Sequence, residues 1–543
     1  MKNITQPLTG IKGLKQNWNT DIISGFLVFL LALPLSLGIA KASGFPAAMG
    51  VLTAMIGGLV TVFFNVSALS IKGPAAGLIT IAAASVTDFG GDEQGWKMAC
   101  GVVVVMALFQ ILFGVLKFGK LSDFFPHSAV HGMLAAIGLI IIAKQIPVLL
   151  GDDPTLYKGE GPVQLLLDIP KFVLNAHWHI AAIGIIGLII MFVFPMLKIN
   201  FLKKVPAPMI VLLVAVPLTI VWHFSQSEPT YSLVKIGDFW GSLNFNADFS
   251  GIGTFTFWKY VVMFLFVSSL ESLLTVKAVD NLDPYKRESS YSGDLIGQGV
   301  GNALAGLLGG LPMISEVVRS SSNIGFGAKT KWSNFFHGAF LLLAMLLIIP
   351  VIEMIPNSAL AAMLIFAGYR LAAPKEFIQT YKIGKEQLVI FNVTIIVTLA
   401  EDLLLGIAAG ILVKIIFHLI NGVKVKHLFK ATYTIEKQAN YTKIVIENAA
   451  IFSNLISFKK GITTLPKQQK IIVDFSSVKL IDHSFMHFIH HIQHQYNDDG
   501  GDFTIIGMEQ HKPLSKHPLA TRILKLKKEK RNKKFYKKYK NIA

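Results

Sequence analysis

Two apolar stretches carry residues that stop a helix and then restart it. In SIKGPAAGLIT, Gly73 and Pro74 interrupt helical geometry, and Pro74 suits the first turn of a new helix. In GGLPMISEVVRSSSN, Pro312 precedes Ser315, a residue type that caps helix N-termini. A break in hydrocarbon leaves backbone N–H groups unpaired, so it persists only where protein, water or a ligand satisfies them. Two such helix starts facing one another would pool free N–H groups and partial positive charge, which is chemistry for holding an anion. For either stretch alone a packing kink is the plainer alternative; the matching positions of the two favour a site. Arg319, one turn after Ser315, would neutralise the anion or lock its own segment to a neighbour. Lys72 adjoins the first break, whereas Lys41 ends an apolar segment and is expected to reach the membrane interface.

A second kind of chemistry sits in FLFVSSLESLLTVKAVD. Glu271 is an acid inside an apolar span, where a carboxylate costs several kcal/mol unless paired, hydrated or protonated. Thr275 follows by four residues and shares its helix face, so the two offer oxygens to a cation, or Glu271 exchanges a proton. The alternative is a structural ion pair of Glu271 with Lys72 or Arg319.

The elements that would position these residues are membrane spans. Hydrophobic residues make up 53% of the 543-residue chain and its mean hydropathy is +0.57, values foreign to a soluble protein of this size. Apolar segments near 22–42, 46–66, 73–86, 98–116, 128–144, 180–197 and 207–223 are followed, after a polar excursion, by segments near 257–276, 293–309, 314–325, 334–351, 357–371, 388–400 and 403–421. About seven plus about seven, each set with a shortened, Gly/Pro-interrupted third member, is the pattern of an inverted repeat with two half-helices. The expected fold is thus an all-α polytopic membrane protein of about fourteen spans. Basic residues fall in alternate connections, among them Lys117 and Lys120, Lys198, Lys203 and Lys204, Lys286 and Arg287, and Lys375 and Lys382, while Asp92, Glu93, Asp248 and Asp402 mark the others. This puts both termini on the cytoplasmic side of the plasma (inner) membrane. The same placement accounts for the net charge of +18 without invoking nucleic acid.

After about Lys430 the pattern changes. TKIVIENAAIF, KIIVDFSSV and DFTIIGM read as strands and Ser484–Tyr496 as a helix, a small soluble α/β domain. The boundaries expected are a cytoplasmic N-terminus over 1–21, the transporter over 22–425, the soluble domain over 430–520 and a basic tail over 521–543 that meets anionic lipid or stays solvated. Cys100 is the only cysteine, which removes intrachain disulfides and zinc-ribbon chemistry. No Walker A loop, HExxH or triad pattern stands out, so no enzyme reading is supported and transport is expected to run on gradients.

These motifs together resemble the SulP family of inorganic anion transporters, through LALPLSLGIAKASG, GPAAGL, ESLLTVKAVD and GGLPMISEVVRSSSNIG in that order. IIVDFSSVKLIDHSFMHFI is similar to the core of a STAS domain, the module that SulP transporters carry. The resemblance implies a mobile core and a gate, elevator-like motion and a homodimer, with a cytoplasmic partner reached through the STAS domain. Carried over by position, it puts Glu271 and Thr275 at the coupling ion, sodium or a proton, and Ser315, Glu316 and Val317 at the start of the second half-helix; with Lys72, Gly73, Ala75 and Arg319 from the breaks these make up the expected substrate site, and no cofactor or metal is otherwise implied. Bicarbonate leads as substrate, with sulfate close behind. Glu316 departs from the family, which keeps a small or neutral residue there. A carboxylate at a helix start can occupy the anion position itself, pair with Lys72, or point away from the cavity.

In the soluble domain Asp482 and Ser484 stand where the second strand meets the helix. The matching serine is phosphorylated in anti-sigma-factor antagonists; helix capping is the competing role. His487, His490, His491 and His494 share a helical face, expected to be a polar surface in preference to a metal site. Two other classes remain open at this point: a nucleobase permease of similar fold, and a membrane-anchored signalling protein that has lost transport.

Overall fold

A computed structural model describes residues 6–525 of the chain, apart from 65, 120–125, 158–159, 198–204, 230, 242, 402, 439, 464–469 and 499. Lys120, Lys198, Lys203, Lys204, Asp402 and the basic tail from 526 onward therefore lie outside the described residues. The chain forms two compact units, one of residues 1–122, 129–376 and 391–409, the other of residues 123–128, 377–390 and 410–543.

The first unit is helical. Its first half holds α1 (Gly10–Ala42), α2 (Ala47–Leu59), β1 (Lys72–Pro74), α3 (Ile79–Asp88), α4 (Asp92–Val115), α5 (His127–Leu150), α6 (Trp178–Val193) and α7 (Ala207–Val221). Its second half holds α8 (Phe255–Leu282), α9 (Tyr291–Leu307), β2 (Met313–Ser315), α10 (Val317–Gly325), α11 (Trp332–Leu347) and α12 (Asn357–Leu371); α13 (Pro374–Ile383), α14 (Lys385–Ala400) and α15 (Leu403–Ile420) follow, each with residues in both units. Six helices among the described residues are long and apolar enough to cross a membrane, with four shorter apolar helices beside them. α4 packs along α9, and α1 and α2 pack along α11. A separate apolar cluster of Ile180, Val211, Ala359 and Met363 joins α6, α7 and α12.

Both breaks begin as extended backbone, which corrects the expectation that Pro74 opens a helix and Ser315 caps one. β1 and β2 pair antiparallel, with Lys72 opposite Ser315, Gly73 opposite Ile314 and Pro74 opposite Met313. The helix after β1 starts at Ile79, following a single 3₁₀ turn over Ala76–Leu78, and the helix after β2 starts at Val317. Cross-strand pairing satisfies the backbone that a broken helix would leave bare, and buried side chains complete the task. Met313 N–H donates to Asn302 Oδ1 at 2.6 Å, and its carbonyl accepts from Gln298 Nε2 at 2.8 Å. Ser315 N–H donates to Ser272 Oγ, Ile71 N–H to Ser320 Oγ and Lys72 N–H to Asn334 Oδ1. A small polar crossing is thus built inside an apolar bundle.

The second unit is a mixed sheet with helices. Its elements are β3 (Tyr433–Lys437), β4 (Tyr441–Ala450), α16 (Leu455–Thr463), β5 (Lys470–Ile481), α17 (His483–Asp498), β6 (Asp502–Ile506), β7 (His511–Pro513) and β8 (Arg522–Leu524). β5 runs parallel to β4 and β6, the arrangement that a buried Val/Ile-rich run anticipates. Ile444, Ile446, Val473, Phe475, Phe485 and Ile489 form its core. The sheet continues to Leu524 through pairing of Ile523 with Leu480, past the boundary expected at 520. The unit also takes in α15 from Gly410, ahead of the expected break at 425–430. The reason is chemical: Lys414 and His418 on that helix bind Asp482 of the sheet domain.

Candidate functional site

The β1/β2 crossing gathers most of the residues singled out in the sequence. Arg319, in the first turn of α10, is wholly buried, and its guanidinium lies over the first break. Nη2 reaches the Pro74 carbonyl at 3.4 Å, while Nε and Nη1 have no hydrogen-bond partner. A Cβ added to Gly73 would stand 2.4 Å from Nη1, so glycine at that position is what lets the guanidinium approach the strand. A buried guanidinium with unused donors carries a large desolvation cost, which an anion placed in its fork would offset.

Glu271 projects from α8 toward the 3₁₀ turn after β1. Its Oε1 is buried without a partner, and a Cβ on Gly77 would fall 2.0 Å from that atom. Thr275 is buried one turn further along the same face. Ser272, next to Glu271, accepts the Ser315 N–H at 3.1 Å, so α8 also holds the second break. Glu271 forms no ion pair with Lys72 or Arg319 among the described residues, and that alternative is set aside.

Glu316 is the N-cap of α10: its Oε2 accepts the Arg319 N–H at 2.7 Å. The Glu316 carboxylate thus does what the Ser315 cap was expected to do, and occupies one of the helix-start N–H groups. It remains within electrostatic reach of both Glu271 and Arg319. Ala75 is buried in extended conformation between β1 and the 3₁₀ turn, whereas Val317, the first residue of α10, is 45% exposed.

Lys72 does not pair with Glu316. It pairs with Asp294 of α9, whose two carboxylate oxygens each accept from Nζ at 2.6 Å, and both side chains are fully buried. Sequence reading missed Asp294, although an acid near the start of an apolar segment is the same signal that exposed Glu271. It also missed His337, buried near Arg319 with neither ring nitrogen partnered, and the Gln110–Asn302 pair that braces β2. Lys41 lies elsewhere, lining a cavity of about 540 Å³ with Lys144 and Glu160.

A profile of the sulfate permease family matches residues 19–394. The chain belongs to this family. Among its relatives is the putative sulfate transporter YvdB of Bacillus subtilis (strain 168), 24% identical over 506 residues that cover 91% of this chain and 92% of YvdB. The bicarbonate transporter BicA of Picosynechococcus sp. (strain ATCC 27264 / PCC 7002 / PR-6) is also 24% identical, over 73% of this chain and 69% of its own. Among solved structures, the transmembrane domain of a cyanobacterial BicA is matched over its whole length and 75% of this chain, with a TM-score of 0.63 and 21% identity. The murine anion transporter Slc26a9 is matched over 93% of this chain and 90% of its own, with a TM-score of 0.64 and 14% identity. Sulfate permease relatives of this kind make the chain an inorganic anion transporter of the membrane, and the solved structures share its mostly helical fold, to which this chain adds a strand-containing C-terminal region.

In the second unit Ser484 Oγ is 3% exposed and accepts from Lys414 Nζ at 3.0 Å. Asp482 accepts the N–H groups of Phe485 and Phe452, so the carboxylate, and not Ser484, caps the helix start. Lys414 and the hydrogen bond from Phe485 hold the Asp482 carboxyl well below the usual range despite its burial. His487, His490, His491 and His494 lie on the less buried side of α17, where the His487 ring meets His127 at 4.7 Å between centroids.

Proposed function

We propose that this sulfate permease is a secondary active transporter of a small inorganic oxyanion, bicarbonate ahead of sulfate, that binds at Arg319 and the starts of α3 and α10. One observation carries the reading: a fully buried guanidinium lies across the first break with two of its nitrogens unpartnered. Gly73, Ala75 and Ser315 shape the crossing, Glu316 supplies a removable carboxylate at the second helix start, and Lys72 acts from behind. Glu271 and Thr275 take the coupling ion. An uncompensated acid beside an anion site repels the substrate unless sodium or a proton arrives with it, which is the requirement for symport.

The same reading includes about fourteen spans as an inverted repeat, elevator-type alternating access, a homodimer in the plasma membrane and cytoplasmic termini. The second unit is read as a STAS domain for a cytoplasmic partner, with Ser484 as its modifiable residue only when the Lys414 contact opens. Uptake of labelled bicarbonate, sulfate and fumarate into proteoliposomes tests the proposal. Bicarbonate or sulfate should accumulate, fumarate should not, and Arg319→Gln should lower uptake at least ~10-fold as a buried charge contact is lost. Equal uptake by Arg319→Gln would remove the guanidinium from the site.

A further inference from the structure

We infer that Asp294 is a positioning residue that sets the anion's charge preference: it neutralises Lys72 and, among the described residues of the first unit, leaves Arg319 as the fully buried cation with donors free to meet the substrate. The inference rests on the anion site proposed above.

The argument is a count of donors and charges. A lysine ammonium has three hydrogens. Lys72 directs them at Asp294 Oδ1, at Asp294 Oδ2 and at Ser315 Oγ, so none remains for a ligand. Asp294 in turn accepts the Ser67 N–H at 3.0 Å and the Ser315 hydroxyl at 3.3 Å, which fixes its carboxylate among α9, β1 and β2. Among the described residues of the first unit, Lys72 and Arg319 are the fully buried lysine and arginine side chains. The first is cancelled by direct contact, whereas the Arg319 side chain forms no ion pair among the described residues and the nearby Glu316 carboxylate is taken up by the Arg319 backbone N–H. Lys72 is also the neighbour of Gly73, against which the Arg319 guanidinium packs. Without Asp294, a second cation would stand one residue from the anion's own. An added unit charge in a site of intermediate dielectric favours a doubly over a singly charged anion on the order of 10-fold.

The test is the ratio of labelled sulfate to labelled bicarbonate uptake in one buffer, which is independent of how much protein folds. Asp294→Asn should raise that ratio roughly 10-fold over the wild type, and Lys72→Gln, which leaves the carboxylate unopposed, should lower it by a similar factor. The double variant, with both charges removed, should return it to within about 3-fold of the wild type. If Asp294→Asn does not fold, Lys72→Gln and the double variant still decide the matter. A ratio unmoved in the single variants that fold would overturn the inference and reduce the pair to packing, while leaving the transport reading intact. A wild type that carries neither anion would overturn that reading, and this inference with it.

Discussion

Replacing Gly77 by alanine places a methyl group 2.0 Å from Glu271 Oε1, 2.4 Å from Oε2 and 2.5 Å from Cδ. Ordinary contact begins at 3.4 Å, so the carboxylate must withdraw by about 1.4 Å. The side chain is long enough to do so at a strain of about 1 kcal/mol, or about 1–3 kcal/mol if the backbone shares the shift. The fold should therefore survive. Function should not, because a displacement of about 1 Å in a group that must meet a ligand costs on the order of 100-fold. Uptake into proteoliposomes, driven by sodium and pH gradients imposed separately, should fall about 10- to 100-fold in Gly77→Ala, and detergent-solubilised protein should melt within several degrees of the wild type. Gly161→Ala, where a Cβ meets nothing within 4 Å, is the control and should transport normally. Wild-type uptake with wild-type cation dependence in Gly77→Ala would refute the placement of Glu271 as the coupling group.

Other outcomes follow from the same geometry. Asn302→Leu removes the acceptor of the Met313 N–H and the donor to its carbonyl, and should cost about 2–3 kcal/mol, read as a lower melting temperature with uptake reduced in parallel. Lys414→Met leaves Asp482 buried without its lysine and with the His418 ring beside it, and should loosen the second unit by about 3 kcal/mol, measured as faster hydrogen exchange in β5 and at the start of α17. His483 is pushed down to about 4 by burial, so it is neutral in the folded unit and charged in the unfolded one at mildly acidic pH. Its contribution is complete above about pH 6.5 and is lost as pH falls toward about 4, by up to about 3 kcal/mol. Exchange of β4 and β5 amides, corrected for intrinsic rates, should accelerate over that window in the wild type and less in His483→Phe.

Much of this was legible in the sequence because the membrane restricts what apolar segments and breaks can mean. Glu271, Arg319 and both Gly/Pro breaks announced themselves as polar or helix-stopping residues in hydrocarbon, and the structure brings all of them to one crossing. What periodicity could not supply was the partner of each break. Nothing local in KGP or MIS marks a three-residue strand; the pairing exists because each segment satisfies the other's backbone from the opposite half of the chain, Lys72 against Ser315. Asp294 escaped for a related reason, since its role depends on Lys72 arriving from the opposite half of the sequence. Glu316 stands out in the sequence as an acid at a helix start, but its use as a helix cap appears only once the helix is seen to begin two residues after β2. The second unit was legible as three strands and a helix, but the parallel pairing of those strands was not, and β7 and β8, three residues each, carry too little pattern to read.

The most direct test of coupled anion transport at this crossing is uptake of labelled bicarbonate and sulfate by Glu271→Gln under imposed sodium and pH gradients. The account predicts that the variant folds, still exchanges anion across the vesicle membrane, and no longer accumulates it in response to either gradient. Accumulation that keeps its wild-type dependence on sodium or pH would contradict it.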